Sequence, residues 1–335
     1  MTISKLLRYV SLSLCLIASA QVSAATLKIA TLSPEGSPWM RVLRQAAEKI
    51  DERTDGSVKF KFYPGGVMGD DKTVLRKMGL GQLHGAVLTS GGLVNTYEDI
   101  GVYNMPMLFR NEAEVDYVRE RLDARLMQGL RAEKFVGFGF AEVGFAYPMV
   151  KTPATEVAEI RKRKVWVPDN DPASLQAFQA FDITPIPLPM ADVLAGLQTG
   201  LINAIASPPV GTIALQWHTQ VDYAVEIPLM YIYGLFAIAE RPFAKLSADE
   251  QAIVSEELSN GVLEVDATSR RGHLVAKAAL GMQGIDWLKP TAQAEQEWRD
   301  LAIAARKRMV DTGYISQGIF DELMGYLDEF RASSQ

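Results

Sequence analysis

Residues 164–205, KVWVPDNDPASLQAFQAFDITPIPLPMADVLAGLQTGLINAI, repeat the segment order of residues 27–86, LKIATLSPEGSPWMRVLRQAAEKIDERTDGSVKFKFYPGGVMGDDKTVLRKMGLGQLHGA. Each copy has a strand-like run, a loop, an apolar-periodic segment, a run ending in proline, and a helix-like stretch. Gly81 and Gly200 close that last stretch at the same place, and a strand of small residues follows each. Two similar α/β units in one chain predict two lobes with a ligand cleft between them.

The fold class follows from the alternation of strands and helices. Ser37 and Pro38 have the form of an N-cap followed by proline at the first helical position. The following apolar residues recur at helical spacing, and Val58 begins a cleanly alternating strand. This order predicts an α/β, two-lobed fold like that of periplasmic binding proteins, with mainly parallel sheets and a long C-terminal helical region.

The N-terminus has the features of a secretory signal. Lys5 and Arg8 precede a short apolar core at residues 9–20, and small residues predict cleavage after Ala24. The core is shorter than the ~20 apolar residues that span a bilayer. We therefore expect a periplasmic protein that is not itself embedded in the membrane. Its single cysteine, Cys15, leaves with the signal, so disulfides and thiolate chemistry are excluded.

Charge and motif content argue against several classes of function. Loss of the two signal-peptide cations takes the formal net charge from −6 to −8, which disfavours nucleic acid as a partner. The chain has neither a nucleophile elbow nor a phosphate-binding loop, and His84, His218 and His273 lack metal-ligand spacing. We expect no cofactor, no metal site and no enzymatic activity.

The predicted organisation has four parts. After the signal peptide, residues 1–24, the first lobe covers residues 25–150 with a return segment at about 235–280. The second lobe covers residues 151–234, and C-terminal helices in residues 281–335 pack across both lobes. Ser247 and Glu250 form a capping box that opens a long helix ending near Met282.

Candidate ligand contacts are aromatic and polar side chains near predicted strand ends and loop–helix junctions, where open α/β sheets bind ligands. Core packing is the competing interpretation of each aromatic residue, and for Trp39 the helical spacing favours it. The candidates are Trp39, Ser90, Glu142, Phe145, Tyr147, Trp166, Asn170, Ser207, Tyr231 and Tyr233.

With these segments placed, nearly all of the mature chain resembles the DctP-type periplasmic solute receptors of TRAP transporters. The order and spacing of several motifs carry the resemblance. They are Phe62-Tyr63-Pro64-Gly65-Gly66 with Met68-Gly69-Asp70, Met105-Pro106-Met107-Leu108-Phe109, Glu142-x-Gly144-Phe145, Lys162-x-Lys164-Val165-x-Val167-Pro168, Pro187-Leu188-Pro189, Leu197-Gln198-Thr199-Gly200 and Lys245-Leu246-Ser247-Ala248-Asp249-Glu250-Gln251. The resemblance implies two lobes that close on a small organic solute and deliver it to TRAP membrane subunits.

The chain departs from the family where relatives recognise a carboxylate. Trp166 stands where most members carry an arginine before Val-Pro, and Ala146 replaces a second frequent arginine. A Gln-Glu-Asn run of the family aligns with residues 205–207, Ile-Ala-Ser. A hydrogen bond to a charged group contributes roughly 1.5–3 kcal/mol, and a desolvated, unpaired carboxylate costs several kcal/mol. These losses predict a ligand more apolar or aromatic than a usual carboxylate, because Trp166 could stack on it or bury apolar surface at ~25 cal/mol per Å².

Three alternatives stay open at this point. Another cation could replace the missing arginines, with Arg41, Lys151 and Arg163 as candidates. The scaffold could be an interaction protein that carries hydrophobic molecules. An enzyme would need a converging acid or base, for which Glu142 is the one cleft candidate, and a structural hydrogen-bonding role fits that residue better.

Overall fold

The computed structural model describes residues 24–169 and 171–333. The predicted signal peptide lies outside this range except for Ala24, and so does the predicted ligand contact Asn170. Among the residues described, no helix combines the length and apolar character needed to cross a bilayer.

The strands, in chain order, are β1 (Ala25–Thr31), β2 (Val58–Tyr63), β3 (Gly85–Thr89), β4 (Phe135–Val150), β5 (Trp166–Pro168), β6 (Ile186–Leu188), β7 (Ala204–Ser207), β8 (Tyr223–Val225), β9 (Met230–Ala239) and β10 (Asp286–Leu288). The α-helices are α1 (Pro38–Arg53), α2 (Asp71–Gly79), α3 (Ser90–Leu93), α4 (Glu112–Ala132), α5 (Val157–Ile160), α6 (Pro172–Ala180), α7 (Val193–Thr199), α8 (Pro209–Ala214), α9 (Glu240–Phe243), α10 (Ala248–Met282), α11 (Ala292–Asp311) and α12 (Gln317–Ser333). Short 3₁₀ helices cover Glu98–Asn104, Met190–Asp192 and Trp217–Gln220.

The first repeat unit is β1-α1-β2-α2-β3. Strand β1 lies between β2 and β3 and pairs in parallel with both. The Ser37 hydroxyl accepts a hydrogen bond from the Met40 backbone N–H at 3.3 Å, which confirms the predicted start of α1. Helix α1 then buries Leu43 and Ile50 against the sheet, as its apolar spacing predicts.

The second unit repeats this arrangement as β5-α6-β6-α7-β7. Strand β5 pairs in parallel with β6, and a parallel bridge between Val165 and Ala204 connects it to β7. Gly81 and Gly200 both have φ of 71°, a left-handed conformation that glycine adopts without steric cost. The matched topology and the matched glycines confirm the internal repeat.

Two long strands join the lobes and make the sheet mixed instead of mainly parallel. Strands β4 and β9 pair antiparallel to each other, β3 pairs antiparallel to β9, and β7 pairs antiparallel to β4. The resulting order is β10-β8-β4-β9-β3-β1-β2, with β7 also on β4. Local periodicity predicts the parallel units but not the direction of the strands that cross between them.

Helix α10 spans both lobes. Its capping box is present: the Ser247 Oγ accepts from the Glu250 N–H at 3.2 Å, and Glu250 Oε2 accepts from the Ser247 N–H at 2.8 Å. Its 35 residues extend about 52 Å. Val254 lies in the core of the first lobe and Leu280 in a core of the second. The helix therefore passes from the first lobe into the second before it ends.

The C-terminal helices pack on both halves. Trp298 of α11 is buried in the second lobe, where its Nε1–H donates to the Thr155 carbonyl at 3.0 Å. Ile319 and Leu323 of α12 are buried in the first lobe beside α4. Strand β4 also reaches both halves, since its last four residues pair with β7 of the second lobe.

Candidate functional site

The two lobes meet at matching loops. Gly91 of α3 follows strand β3 of the first lobe, and Asp171 precedes α6 just after strand β5 of the second. A Cβ atom added at Gly91 would lie 2.5 Å from Oδ2 of Asp171, so the Asp171 carboxylate occupies the space that a side chain at position 91 would fill. Asp171 also caps α6, accepting from the Ser174 N–H at 3.0 Å. The lobes are therefore closed on each other at this edge.

Carboxylates dominate this junction. The Asp71 side chain is buried and accepts from the Thr89 N–H at 3.1 Å and the Thr89 hydroxyl at 2.6 Å. Burial raises its pKa to about 6, and the nearby Asp70 and Asp171 add to the rise. Burial also raises the pKa of Asp169, again with Asp70 contributing. A negative field of this kind opposes the entry of an anionic ligand.

Trp166 is enclosed within the second lobe. Its side chain is 5% exposed, and its Nε1–H donates to the Leu188 carbonyl at 3.0 Å. The indole makes an edge contact with Trp217, with ring centroids 5.2 Å apart. Because its polar atom is satisfied and its faces are covered, the ring can offer a ligand only a narrow edge in this conformation.

Ala146, the other position that departs from the family, is 1% exposed and lies among the apolar side chains of the second lobe. Its neighbour Tyr147 is partly buried and packs edge-on against Trp287 at 5.2 Å. Tyr147 faces Ser207 in the β4–β7 pair, and the buried Ser207 Oγ accepts from the Thr212 hydroxyl at 2.8 Å. Tyr147 and Ser207 thus lie together, and Tyr147 packs against the apolar cluster that contains Trp166.

Glu142 is the centre of a network of hydrogen bonds and ion pairs where β4 and β9 cross between the lobes. Its carboxylate accepts from Arg270 Nη2 at 2.5 Å and from the Tyr231 hydroxyl at 3.1 Å, and His273 Nε2 lies 2.7 Å from it. Burial opposes its ionisation, but His273 and Arg270 outweigh burial and hold its pKa below the usual value. Arg119 extends the network by donating to Asp266 at 3.0 Å. These contacts tie β4 and β9 to α10 and α4.

The remaining aromatic and hydroxyl candidates lie in or beside the core of the first lobe. Phe145 packs edge-on against Tyr231 at 5.5 Å, and Tyr231 stacks on Tyr233 at 6.0 Å. The Tyr233 hydroxyl donates to the Ile100 carbonyl, and Ser90 hydrogen-bonds Asn104. All of these except Phe145 are buried.

Trp39 lies in the first turn of α1, partly buried, and its Nε1–H donates to the Ser269 hydroxyl of α10 at 3.0 Å. The structure therefore brings Glu142, Phe145, Tyr231 and Tyr233 together at the crossing strands. Tyr147 and Trp166 share an apolar cluster of the second lobe, whereas Trp39 packs against a core of the first lobe.

The residues of α10 that bind Glu142 and Arg119 were not among the predicted ligand contacts. Asp266, Arg270 and His273 lie four and three residues apart, which places them on one face of the helix. Charged and histidine side chains at positions i, i+4 and i+7 of a long helix were the available signal. In residues 24–169 and 171–333, no group of three or more metal-ligating side chains is arranged to hold a metal ion.

The chain matches the family model of bacterial extracellular solute-binding protein family 7, DctP, over residues 29–312. It is similar to the 2,3-diketo-L-gulonate-binding periplasmic protein YiaO of Escherichia coli, with 27% identity over 168 residues, which are 48% of this chain and 49% of that protein. It is also similar to the sialic acid-binding periplasmic protein SiaP of Vibrio cholerae, with 24% identity over 201 residues, 58% of this chain and 61% of that protein.

Solved structures share the fold. A TRAP periplasmic solute-binding protein from Desulfovibrio salexigens with bound orotic acid superposes with a TM-score of 0.81 at 17% identity, covering 92% of this chain and 99% of that chain.

Proposed function

Because the chain belongs to bacterial extracellular solute-binding protein family 7, we propose that it is a periplasmic receptor that binds a small organic solute between its lobes and delivers it to the membrane subunits of a TRAP transporter. The contact between Gly91 and Asp171 carries this proposal, since it supports closure of one lobe on the other. Strands β4 and β9 and helix α10 run from one lobe to the other and supply a hinge.

The ligand we propose is neutral or largely apolar and lacks a free carboxylate as its main recognition group. Relatives are named for sugar acids, and a solved relative holds orotic acid, so their ligands carry an acid group. In this chain Ala146 and Trp166 remove two cations, and Asp71 and Asp171 place carboxylates at the lobe contact. An acid group bound there would be desolvated without a guanidinium, at a cost of several kcal/mol.

Among the sequence candidates we retain Trp39, Phe145, Tyr147 and Ser207 as proposed ligand contacts, together with Asn170. Trp166 stays in the proposal because it stands where relatives carry an arginine, so this position offers no guanidinium to pair with a ligand carboxylate. The carboxylate of Glu142 is engaged by Arg270 and His273, which supports a hinge role and agrees with a family of receptors and not enzymes. We likewise assign Ser90, Tyr231 and Tyr233 to packing of the first lobe.

A carboxylate receptor that uses a different cation is the second candidate function. Arg41 Nη1 donates to the Gly36 carbonyl at 2.6 Å, in the loop that follows β1. Its position beside a loop between β1 and α1 favours it over Arg163, which donates to Pro153 on the second lobe. Binding of a carboxylate that is lost in Arg41→Gln would support this second function.

A thermal-shift screen of the mature protein tests the ligand class. Neutral aromatic and aliphatic compounds should raise the melting temperature, whereas dicarboxylates and sugar acids should not. A ligand at 100 times its Kd stabilises by about 2.7 kcal/mol, which shifts the melting temperature by several degrees. Stabilisation by the acids alone would refute the proposed ligand class and leave the receptor function intact.

A matched pair of hydroxyl deletions then locates the site. Tyr147→Phe should weaken binding of a compound found in the screen about five- to tenfold, the magnitude of one hydrogen bond. Tyr326→Phe removes a hydroxyl that donates to Glu322 on α12 and should leave affinity unchanged. Delivery is tested separately with proteoliposomes that contain TRAP membrane subunits: uptake without the receptor would overturn that part of the proposal.

A further inference from the structure

A second concave site lies away from the contact between the lobes. A cavity of about 590 Å³ opens between α11, α12 and the chain segment that precedes α4. This volume falls within the range of small-molecule sites. It is lined by Met107, Leu108, Arg110, Arg299, Ile303, Arg306, Lys307, Val310, Asp311, Gln317, Phe320, Met324 and Arg331.

The lining is strongly cationic although the chain as a whole is acidic, with a net charge of −6. Three of the cations have carboxylate partners. Arg331 pairs with Glu114 at 2.8 Å, Lys307 with Asp311 at 2.7 Å, and Arg299 with Glu295. Arg110 and Arg306 form no ion pair within residues 24–169 and 171–333, although the charge of Arg110 helps to lower the pKa of Glu114.

Arg306 is the more constrained of these two cations. Its Nη1 donates to the Pro106 carbonyl at 2.7 Å and to the Met107 carbonyl at 3.0 Å. Burial lowers its pKa to about 10, and the neighbouring Arg331 adds to the effect. Its Nε and Nη2 hydrogens meet no acceptor within the described part of the chain, which leaves one edge of the guanidinium available. That edge matches a carboxylate or phosphate in a bidentate geometry.

The segment that accepts these bonds is held in an unusual conformation. Met107 has φ of 45°, which non-glycine residues adopt infrequently, and its N–H donates to the Leu229 carbonyl at 2.7 Å. Arg306 therefore secures a strained turn on one side and faces the cavity on the other. The result is a fixed cation and not a mobile surface side chain.

The other walls of the cavity are apolar. Ile303 is 56% exposed, a high value for a large aliphatic side chain, and it stands beside Val310, Phe320 and Met324. Methionine and phenylalanine side chains adapt to irregular apolar ligands. A bare inorganic anion would satisfy the guanidinium groups but leave these apolar walls in contact with water. An uncharged hydrophobe would cover the walls and leave the cations without a counter-charge.

We propose that this cavity is a second ligand site, which takes a small amphipathic monoanion with its carboxylate or phosphate head on Arg306 and Arg110 and its apolar body against Ile303, Phe320 and Met324. This proposal is independent of the solute bound between the lobes. Helix α11 packs on the second lobe and α12 on the first, so the occupant contacts helices that belong to both halves.

Titration calorimetry of the mature protein with octanoate and octyl phosphate tests the proposal, and the comparison of the two identifies the preferred head group. Either probe should bind at least tenfold more tightly than 1-octanol, which has the same chain without the charge. Arg306→Gln should weaken binding of that probe at least tenfold. Arg308→Gln removes a neighbouring cation of α11 that does not line the cavity, and affinity should stay within twofold.

Two further measurements keep the result unambiguous. Arg110→Gln alters an exposed side chain and should also weaken binding, which covers the case that Arg306→Gln fails to fold. Octanoate that carries a diazirine should cross-link within residues 107–110 or 299–331, the two segments that line the cavity. The proposal is overturned if neither probe binds, if binding survives both arginine substitutions, or if all cross-links fall in the cleft between the lobes.

Discussion

Replacing Asp71 by asparagine should remove a large pH-dependent term from the stability of this protein. The carboxyl group is 2% exposed at the start of α2 and accepts two hydrogen bonds from Thr89. Its pKa is raised from 3.8 to about 6, chiefly by burial. A group whose pKa rises on folding contributes stability that is fully present below its unfolded pKa and is lost as the pH rises through its folded pKa. The relevant window therefore runs from about pH 4 to just above pH 6.

The size of this pH-dependent stability difference follows from the pKa shift of Asp71. A rise of about two pKa units corresponds to about 3 kcal/mol between the two protonation states. The free energy of unfolding should be measured by urea denaturation at intervals from pH 4 to pH 7.5. The difference between Asp71→Asn and the natural protein should change by about 3 kcal/mol across this range in favour of the variant. This comparison cancels any constant cost of the new amide group.

Asp300→Asn is the matched control, because Asp300 is exposed on α11 and accepts one hydrogen bond from Gln296, which an asparagine can still accept. Its stability difference should stay nearly constant over the same pH range. A flat difference for Asp71→Asn, or one that falls as the pH rises, would show that burial does not penalise this carboxylate as argued.

Three further outcomes are expected. Glu142→Gln should destabilise the fold by about 3 kcal/mol at pH 7 in urea unfolding, because it breaks a buried ion pair. Since the pKa of Glu142 is lowered, this loss of stability should shrink as the pH falls below about 4.5. A loss that stays constant with pH would contradict the ion-pair argument. Gly144→Ala should lower the free energy of unfolding by at least about 2 kcal/mol, since φ is +108° and a Cβ would enter the ring of His273. The control Gly281→Ala, at a position of α10 with open space around it, should instead raise the free energy of unfolding by up to about 1 kcal/mol. Trp298→Phe should cost about 1–3 kcal/mol in the same assay through its lost hydrogen bond to Thr155, and retention of full stability would show that this contact is dispensable.

The sequence predicted the repeat because the signals are local. Cap residues such as Ser37 and Ser247 and the left-handed glycines Gly81 and Gly200 specify element ends within a few residues. Alternation of strands and helices gave the two units in their correct order. The same local signals could not give the direction of β4 and β9, because strand pairing depends on partners about 90 residues away.

Side-chain environment depended on contacts that local periodicity does not encode. An indole at position 166 and a carboxylate at position 142 each fit a ligand cleft as well as a packed interior when the sequence is considered by itself. The structure buries Trp166 against Trp217 and pairs Glu142 with Arg270, partners that lie 51 and 128 positions away. Likewise Arg306 reaches Pro106 across 200 positions to form the second cavity. The sequence by itself determined the elements, the repeat and the family, since these rest on short-range patterns. Only the tertiary structure decided which polar groups are paired and which remain available, since desolvation and charge pairing depend on neighbours from the whole chain.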